Sequence, residues 1–223
     1  RGLAEARLVT VVARKLYDEA VRTRPDTLYL PNAAEARRFD AMTAPSPALE
    51  DKRWSEFVAS GAPIVGYYGA LAHWFDYDLV MKCAELRRDW RFVLIGPDHD
   101  GSIPRLRLKM HQNIYWMGPT TYESLPGFLE HFSVATIPFK VNEITLATSP
   151  LKLFEYFAGE KPVISTRLPE CEAFDVVRIV EDAEEFAAAL DSAQADGQDP
   201  DFRSKLARLA AENSWAARAR VAL

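Results

Sequence analysis

The chain has 223 residues, 48% hydrophobic and 26% charged, a globular composition that can bury a full core. Its formal net charge of −5 comes from 27 basic and 32 acidic residues with no long run of either sign, which argues against a nucleic-acid partner. Cys83 and Cys171 lie far apart without CxxC or Cys/His spacing, so reduced thiols in a cytoplasmic setting are expected rather than a disulfide framework or zinc site, and no apolar run approaches the roughly 20 residues that span a bilayer.

In chain order, LVTVVA (8–13) and TLYLP (27–31) have the pattern of strands flanking a helix. They are too few for a stable domain, and the chain opens on Arg1 rather than methionine, so residues 1–43 are expected to be the tail end of a preceding domain. APSPALEDKRW (44–54), with two prolines and scattered charge, places a linker over 44–60. From residue 63 short apolar runs alternate with helical patterns. The runs are Pro63 to Tyr68, Arg91 to Ile95, Asn113 to Met117, Ser133 to Pro138, Pro162 to Ser165 and a sixth at 176–180. Between them fall predicted helices over 76–88, capped by Asp76, over 122–132, broken by Pro126, and over 150–158. A further helix covers 182–194, a turn covers Asp196 to Pro200, and the rest makes one or two helices. This alternation predicts an α/β fold, a doubly wound, Rossmann-like parallel sheet over 61–205, followed by a C-terminal helix over 206–223.

Open parallel sheets bind ligands beyond the carboxyl ends of their strands, here the loops after 68, 96, 118, 138 and 165. The first loop, GYYGALAHWFD, lacks GxGxxG, and the second strand ends in IGP rather than in an acid, which argues against a nicotinamide dinucleotide; the strand-end aspartates of a phosphoacceptor receiver are poorly supplied by VGYYG and LIGPD. The loop FKVNEITLATS (139–149) is polar and feeds a helix N-terminus, a natural anion site. With Ser149 as N-cap and Pro150 as first helical residue, Lys152 stands in the first turn, where an acid is the usual occupant. Glu155, three residues on, shares its face, while Leu151, Phe154 and Ala158 mark the buried stripe. The pair fits two descriptions equally: a surface ion pair worth at most about 0.5 kcal/mol, or separate ligands, with Lys152 on a phosphate and Glu155 on a diol. A diphosphate beside a ribose would satisfy the second.

SPLKLFEYFAGEKPVIST, with VGYYGALAHWFDYDLV, RFVLIGP, NIYWMGPTTYESLPGFLEHFSVATIPF and ENSW, resembles in order the C-terminal half of GT-B glycosyltransferases of the GT4-like group, over residues 63 to 218. The stretch before it, ending in Pro31, Asn32, Ala33 where those enzymes have Pro-Asn-Gly, resembles their crossing between domains. The resemblance implies a hexosyltransferase-type enzyme with a nucleotide diphosphate sugar as donor, a saccharide or lipid-linked acceptor in polysaccharide biosynthesis, no metal and no cofactor. It implies transfer with retention, a peripheral place at the inner membrane for the full-length enzyme, and a fragment that binds donor without transferring it. No catalytic residue is assigned, since any base would lie in the other domain. A nucleotide-sugar epimerase of the same architecture and a non-catalytic binding module are the alternatives.

Residue by residue, Glu155 matches the second glutamate of the family's E-x7-E pattern, the ribose ligand. The first would fall at Ala147, and the nearest acid, Glu143, is four residues too early. The arginine and lysine that relatives place after the first strand are absent from YGALAHWFD, leaving Lys152 and the backbone amides around Thr148 and Ser149 to hold the diphosphate. Gly69, Ala70 and Leu71 form either a loop close to that diphosphate or a tight turn. Gly118 and Pro119 contact the base through backbone atoms or make a plain turn. His73 either meets donor or acceptor from the loop after the first strand or, as is expected, is exposed beside Trp74 and Phe75. His99, His111 and His131 show no metal spacing and are expected to be exposed, and Trp215 to anchor the terminal helix.

Overall fold

The structure, a computed structural model, describes residues 5–39 and 51–222. Its centre is a parallel six-stranded sheet built from β3 (Ile64–Tyr68), β4 (Arg91–Ile95), β5 (Ile114–Gly118), β6 (Val134–Ile137), β7 (Val163–Thr166) and β8 (Val177–Val180). The spatial order is β5-β4-β3-β6-β7-β8. Chain direction along the sheet therefore reverses between β3 and β6, and the crevice at their carboxyl ends is the topological switch point of a Rossmann-like fold. The strands are almost continuously apolar because helices cover both faces, and all of β3, β6 and β7 is buried. Proline frames the ladder: Pro63 and Pro162 lack an N–H but offer their carbonyls to Arg91 and Ala135.

Ahead of the sheet, β1 (Thr10–Val11) and β2 (Leu28–Tyr29) pair in parallel around α1 (Arg14–Ala20). These strands are shorter than the runs that predicted them. They are tied to the main body by Glu170, whose buried carboxylate accepts from the Arg14 backbone N–H and the Tyr29 hydroxyl.

The predicted linker divides. Residues 44–50 lie outside the described residues, whereas α2 (Lys52–Ala59) is a helix: Asp51 Oδ1 accepts from Trp54 N at 2.9 Å, and Trp54 and Phe57 are buried. The prolines of APSPALEDKRW suggested a linker, but the helical spacing of Trp54 and Phe57 prevails beyond Asp51. Helix α3 (Tyr77–Leu86) has the predicted Asp76 cap, with Leu79 N 3.0 Å from Oδ1. The short α4 (Arg105–Leu108) follows β4. In α5 (Leu125–Glu130) Pro126 occupies the first turn, where no N–H is needed, so it starts the helix and does not break it.

Helix α6 (Leu151–Ala158) descends from the switch crevice, and the short α7 (Pro169–Glu172) follows β7. Next come α8 (Ala183–Gln198), α9 (Pro200–Glu212), which runs unbroken through residue 206, and α10 (Trp215–Ala222). Trp215 anchors α10 through its backbone, donating to the Ala34 carbonyl, while its side chain is half exposed. Cys83 and Cys171 are free and buried, and burial pushes both thiols up to about 12. Among the described residues no helix is long and apolar enough to cross a membrane.

Candidate anion and diol site

Two loops meet at the switch crevice. The one after β3 is held against its neighbours almost as an extension of the sheet: Gly69 N donates to Ile95 O, Gly96 N to Gly118 O, Leu71 N to Pro97 O and His99 N to Leu71 O. Gly69 and Gly96 have φ of +133° and +142°, and a Cβ on Gly96 would stand 2.0 Å from the Gly69 carbonyl oxygen. Gly96→Ala is therefore expected to destabilise the chain by at least about 2 kcal/mol through strain and overpacking, seen as a melting temperature about 4–8 °C lower. An unchanged melt would refute the close approach. In this loop Ala70 uses its carbonyl to accept from the Tyr67 hydroxyl, and Leu71 is fully buried, so Leu71 is a core side chain and not a ligand contact.

The second loop runs from β6 to α6 and shapes itself through local hydrogen bonds. Asn142 Oδ1 accepts from Ile144 N and Thr145 N, Thr145 Oγ1 donates to Lys140 O, and Thr148 Oγ1 donates to Ile144 O. Glu143 is exposed on the turn and forms no hydrogen bond or ion pair among the described residues. Helix α6 begins one residue later than its sequence suggests. Pro150 occupies the capping position without a side-chain cap, and Ser149 does not cap: its Oγ accepts from Asn32 N at 3.2 Å and its carbonyl from Asn32 Nδ2 at 2.7 Å. The amides of Ser149, Leu151 and Lys152 consequently donate to no acceptor among the described residues, while that of Thr148 is spent on Thr145 O. Three free N–H groups at the positive end of a helix dipole attract an anion.

Lys152, the second helical residue, lays its stem along Gly69, where a Cβ would come within 2.9 Å of Cε. Its ammonium sits 5.2 Å from the Tyr67 ring centroid and 5.0 Å from that of Phe139, with no carboxylate or carbonyl partner among the described residues. Desolvation lowers its pKa to about 8, only partly opposed by the charge of Glu155. Two aromatic faces support this cation, and its donors remain unused.

Glu155 is buried and does not pair with Lys152. Its Oε1 accepts from the Tyr122 hydroxyl at 2.7 Å. Burial raises its pKa, and Tyr122 and Lys152 oppose that rise. The Tyr68 hydroxyl is near enough to favour the charged form yet completes no hydrogen bond of its own. Helix α6 thus sends Lys152 toward the β3 and β6 loops and Glu155 toward the β5 loop, which rules out the surface ion pair. Tyr122 ties Glu155 to the segment that follows Gly118, half-buried with φ +84°, and the exposed Pro119. Phe39 stacks on Tyr68 and meets Tyr122 edge-on, while Arg38 lies 5.2 Å over the Tyr122 ring.

Spacing pointed to Lys152 and Glu155 but not to Tyr122 or Asn32, which reach the site from other loops. Nor did it reveal the rings of Tyr67, which its apolar run marked only as core, and of Phe139, which fell in the polar loop. Among the histidines, His73 is exposed and bonded to Asp100 at 2.7 Å, and His99 is exposed. His111 and His131 are partly buried, contrary to expectation, because His111 faces Glu85 and His131 packs on Trp54. Among the described residues no group of three or more His, Cys, Asp or Glu is placed to hold a metal.

Several known proteins resemble this chain in sequence or in fold. The chain is 27% identical over 158 residues, 68% of its own length and 40% of the relative's, to TuaH of Bacillus subtilis (strain 168), a protein named as a teichuronic acid biosynthesis glycosyltransferase. Among solved structures, Anabaena Alr3699/HepE in complex with UDP and glucose superposes with a TM-score of 0.74 at 14% identity, over 97% of this chain and 62% of that one. A glycosyltransferase from Rickettsia africae gives 0.74 at 15% identity, over 96% and 61%. The chain therefore spans less than two thirds of these relatives. Residues 62–196 match the family described as Glycosyl transferases group 1, and the chain belongs to that family.

Proposed function

We propose that the chain is the donor-binding part of a hexosyltransferase-type GT-B enzyme, which moves a sugar from a nucleotide diphosphate sugar to a glycan or polysaccharide acceptor. The observation that carries this reading is the unpartnered Lys152 ammonium beside three free backbone N–H groups at the switch crevice, with Glu155 one helical turn away. Lys152 and the helix end would hold the diphosphate and stabilise charge as it departs. Glu155 would accept the ribose hydroxyls, and the β5 loop at Gly118 and Pro119 would meet the base. The structures of HepE with UDP and with UDP-glucose support a donor of this class. TuaH's name, a teichuronic acid biosynthesis glycosyltransferase, supports an acceptor in polysaccharide biosynthesis. The enzyme would be cytoplasmic, at the inner membrane where its acceptor is lipid-linked.

Titration calorimetry of the chain with UDP, GDP and ADP tests the reading. At least one should bind at micromolar to low millimolar concentration, with no sugar transferred by the chain alone. Failure of all three at millimolar concentration would overturn it.

A further inference from the structure

Asn32 belongs to neither the sheet nor the α6 helix, yet it makes two contacts at the point where α6 begins. Its backbone N–H donates to Ser149 Oγ at 3.2 Å, and its side-chain Nδ2 donates to Ser149 O at 2.7 Å. Together they fix Ser149, the last residue before Pro150, and with it the direction of the free Ser149, Leu151 and Lys152 amides. The strap that carries Asn32 is itself tied on its other side. Arg218 Nε donates to Pro31 O at 3.1 Å, Ala34 N donates to Asn213 O, and Trp215 N donates to Ala34 O. The segment 31–34 thus runs from the start of α10 to the N-terminus of α6, and its residues Ala33 and Ala34 are buried.

We infer that Asn32 is a positioning residue for the diphosphate: it reaches no ligand itself but holds the Ser149 carbonyl away from the crevice and turns the adjoining amides toward it. The reason is geometric. Ser149 O is a strong acceptor beside a proposed anion, and left unpaired it would repel phosphate oxygens; Asn32 Nδ2 binds it and supplies the compensating donor. Ser149 Oγ, committed to the Asn32 amide, is likewise unable to cap the helix, which leaves the first-turn N–H groups free for a ligand. The inference rests on the donor-binding reading above and deepens it, because it makes the crossing segment part of the diphosphate site.

The test uses Asn32→Asp, which keeps the shape and the backbone N–H but replaces the Nδ2 donor with an oxygen, and Asn32→Ala as a second variant. Each is titrated with the best-bound of UDP, GDP and ADP and with the matching nucleoside. Both variants should lose about 5- to 50-fold in diphosphate affinity and less than about twofold in nucleoside affinity, as expected for one or two hydrogen bonds acting through the phosphate end. In a Lys152→Met background the Asn32→Asp loss should shrink, since the two residues act on one ligand group. If the parent chain binds a diphosphate and Asn32→Asp binds it equally well, the positioning role is overturned. Equal losses of nucleoside and diphosphate would overturn it too, because a general loosening of the fold has no preference for phosphate. If the parent chain binds none of the three, the donor reading falls and takes this role with it.

Discussion

Lys152→Met raises the melting temperature of the chain by a few degrees and at the same time weakens nucleoside diphosphate binding by about 10- to 100-fold, leaving nucleoside binding nearly unchanged. The two effects have one cause. In the folded chain without ligand the ammonium gives up its proton at about 8, against 10.5 in the unfolded chain, because the crevice desolvates it. The unfolded chain binds more protons between those two values, so stability rises with pH from about 8 to 10.5, and the whole burden of the charge is present below about 8. That difference corresponds to about 3 kcal/mol at most, and partial solvent exposure returns some of it, so a gain of about 1–2 kcal/mol is expected from the neutral, similarly shaped methionine. A diphosphate reverses the balance by pairing the ammonium, and a charge-assisted hydrogen bond of about 1.5–3 kcal/mol then disappears in the variant. For the parent chain, diphosphate affinity should fall as pH rises above about 8, and Lys152→Met should lack this fall. Thermal denaturation and calorimetry between pH 7 and 9.5 check both halves. A destabilised variant with unchanged affinity would mean that Lys152 serves the fold and not a ligand.

How much of this could be read in the sequence follows from the range of the interactions involved. The strands β3 to β8 stand within one or two residues of their apolar runs, because helices bury both faces of a parallel strand and leave a continuous hydrophobic signature. The Asp76 cap was legible for a similar reason, since it acts within three residues. Short helices such as α4 and α7 carry too few residues to show a period, and α2 was concealed by the prolines before it. At the site, the absence of an acid early in α6 was legible as an anomaly, but the fate of Ser149 was not. From the sequence it is a good N-cap; in the fold Asn32, 117 residues away, captures it first. Leu71 shows the same limit from the other side, since only the pairing of its loop with Pro97 and His99 makes it core.

Glu155→Gln should weaken both the nucleoside and the diphosphate by about 10-fold or more while leaving the melting temperature at neutral pH unchanged or higher. The carboxylate is buried, with Oε1 already accepting from Tyr122 and no second complete hydrogen bond. Having only acceptors, it can take two hydroxyl protons from a diol in addition to that of Tyr122, whereas a glutamine offers one acceptor oxygen and sets an NH2 against the other hydroxyl. Its raised pKa fixes the sign of the stability effect: the folded chain holds the proton more tightly than the unfolded one, so a stabilising contribution is complete at acid pH and is lost as pH rises through the folded value. Above the ordinary carboxylate range the buried carboxyl therefore opposes folding, and the amide removes that opposition while keeping an oxygen for Tyr122. The diol itself supplies the control. Replacing the ribonucleoside diphosphate by its 2′-deoxy form should weaken binding to the parent chain by about 10- to 100-fold, one hydrogen bond to a charged acceptor, and should weaken binding to Glu155→Gln much less. Equal discrimination by both proteins would place the ribose hydroxyls elsewhere and leave Glu155 as the partner of Tyr122 alone.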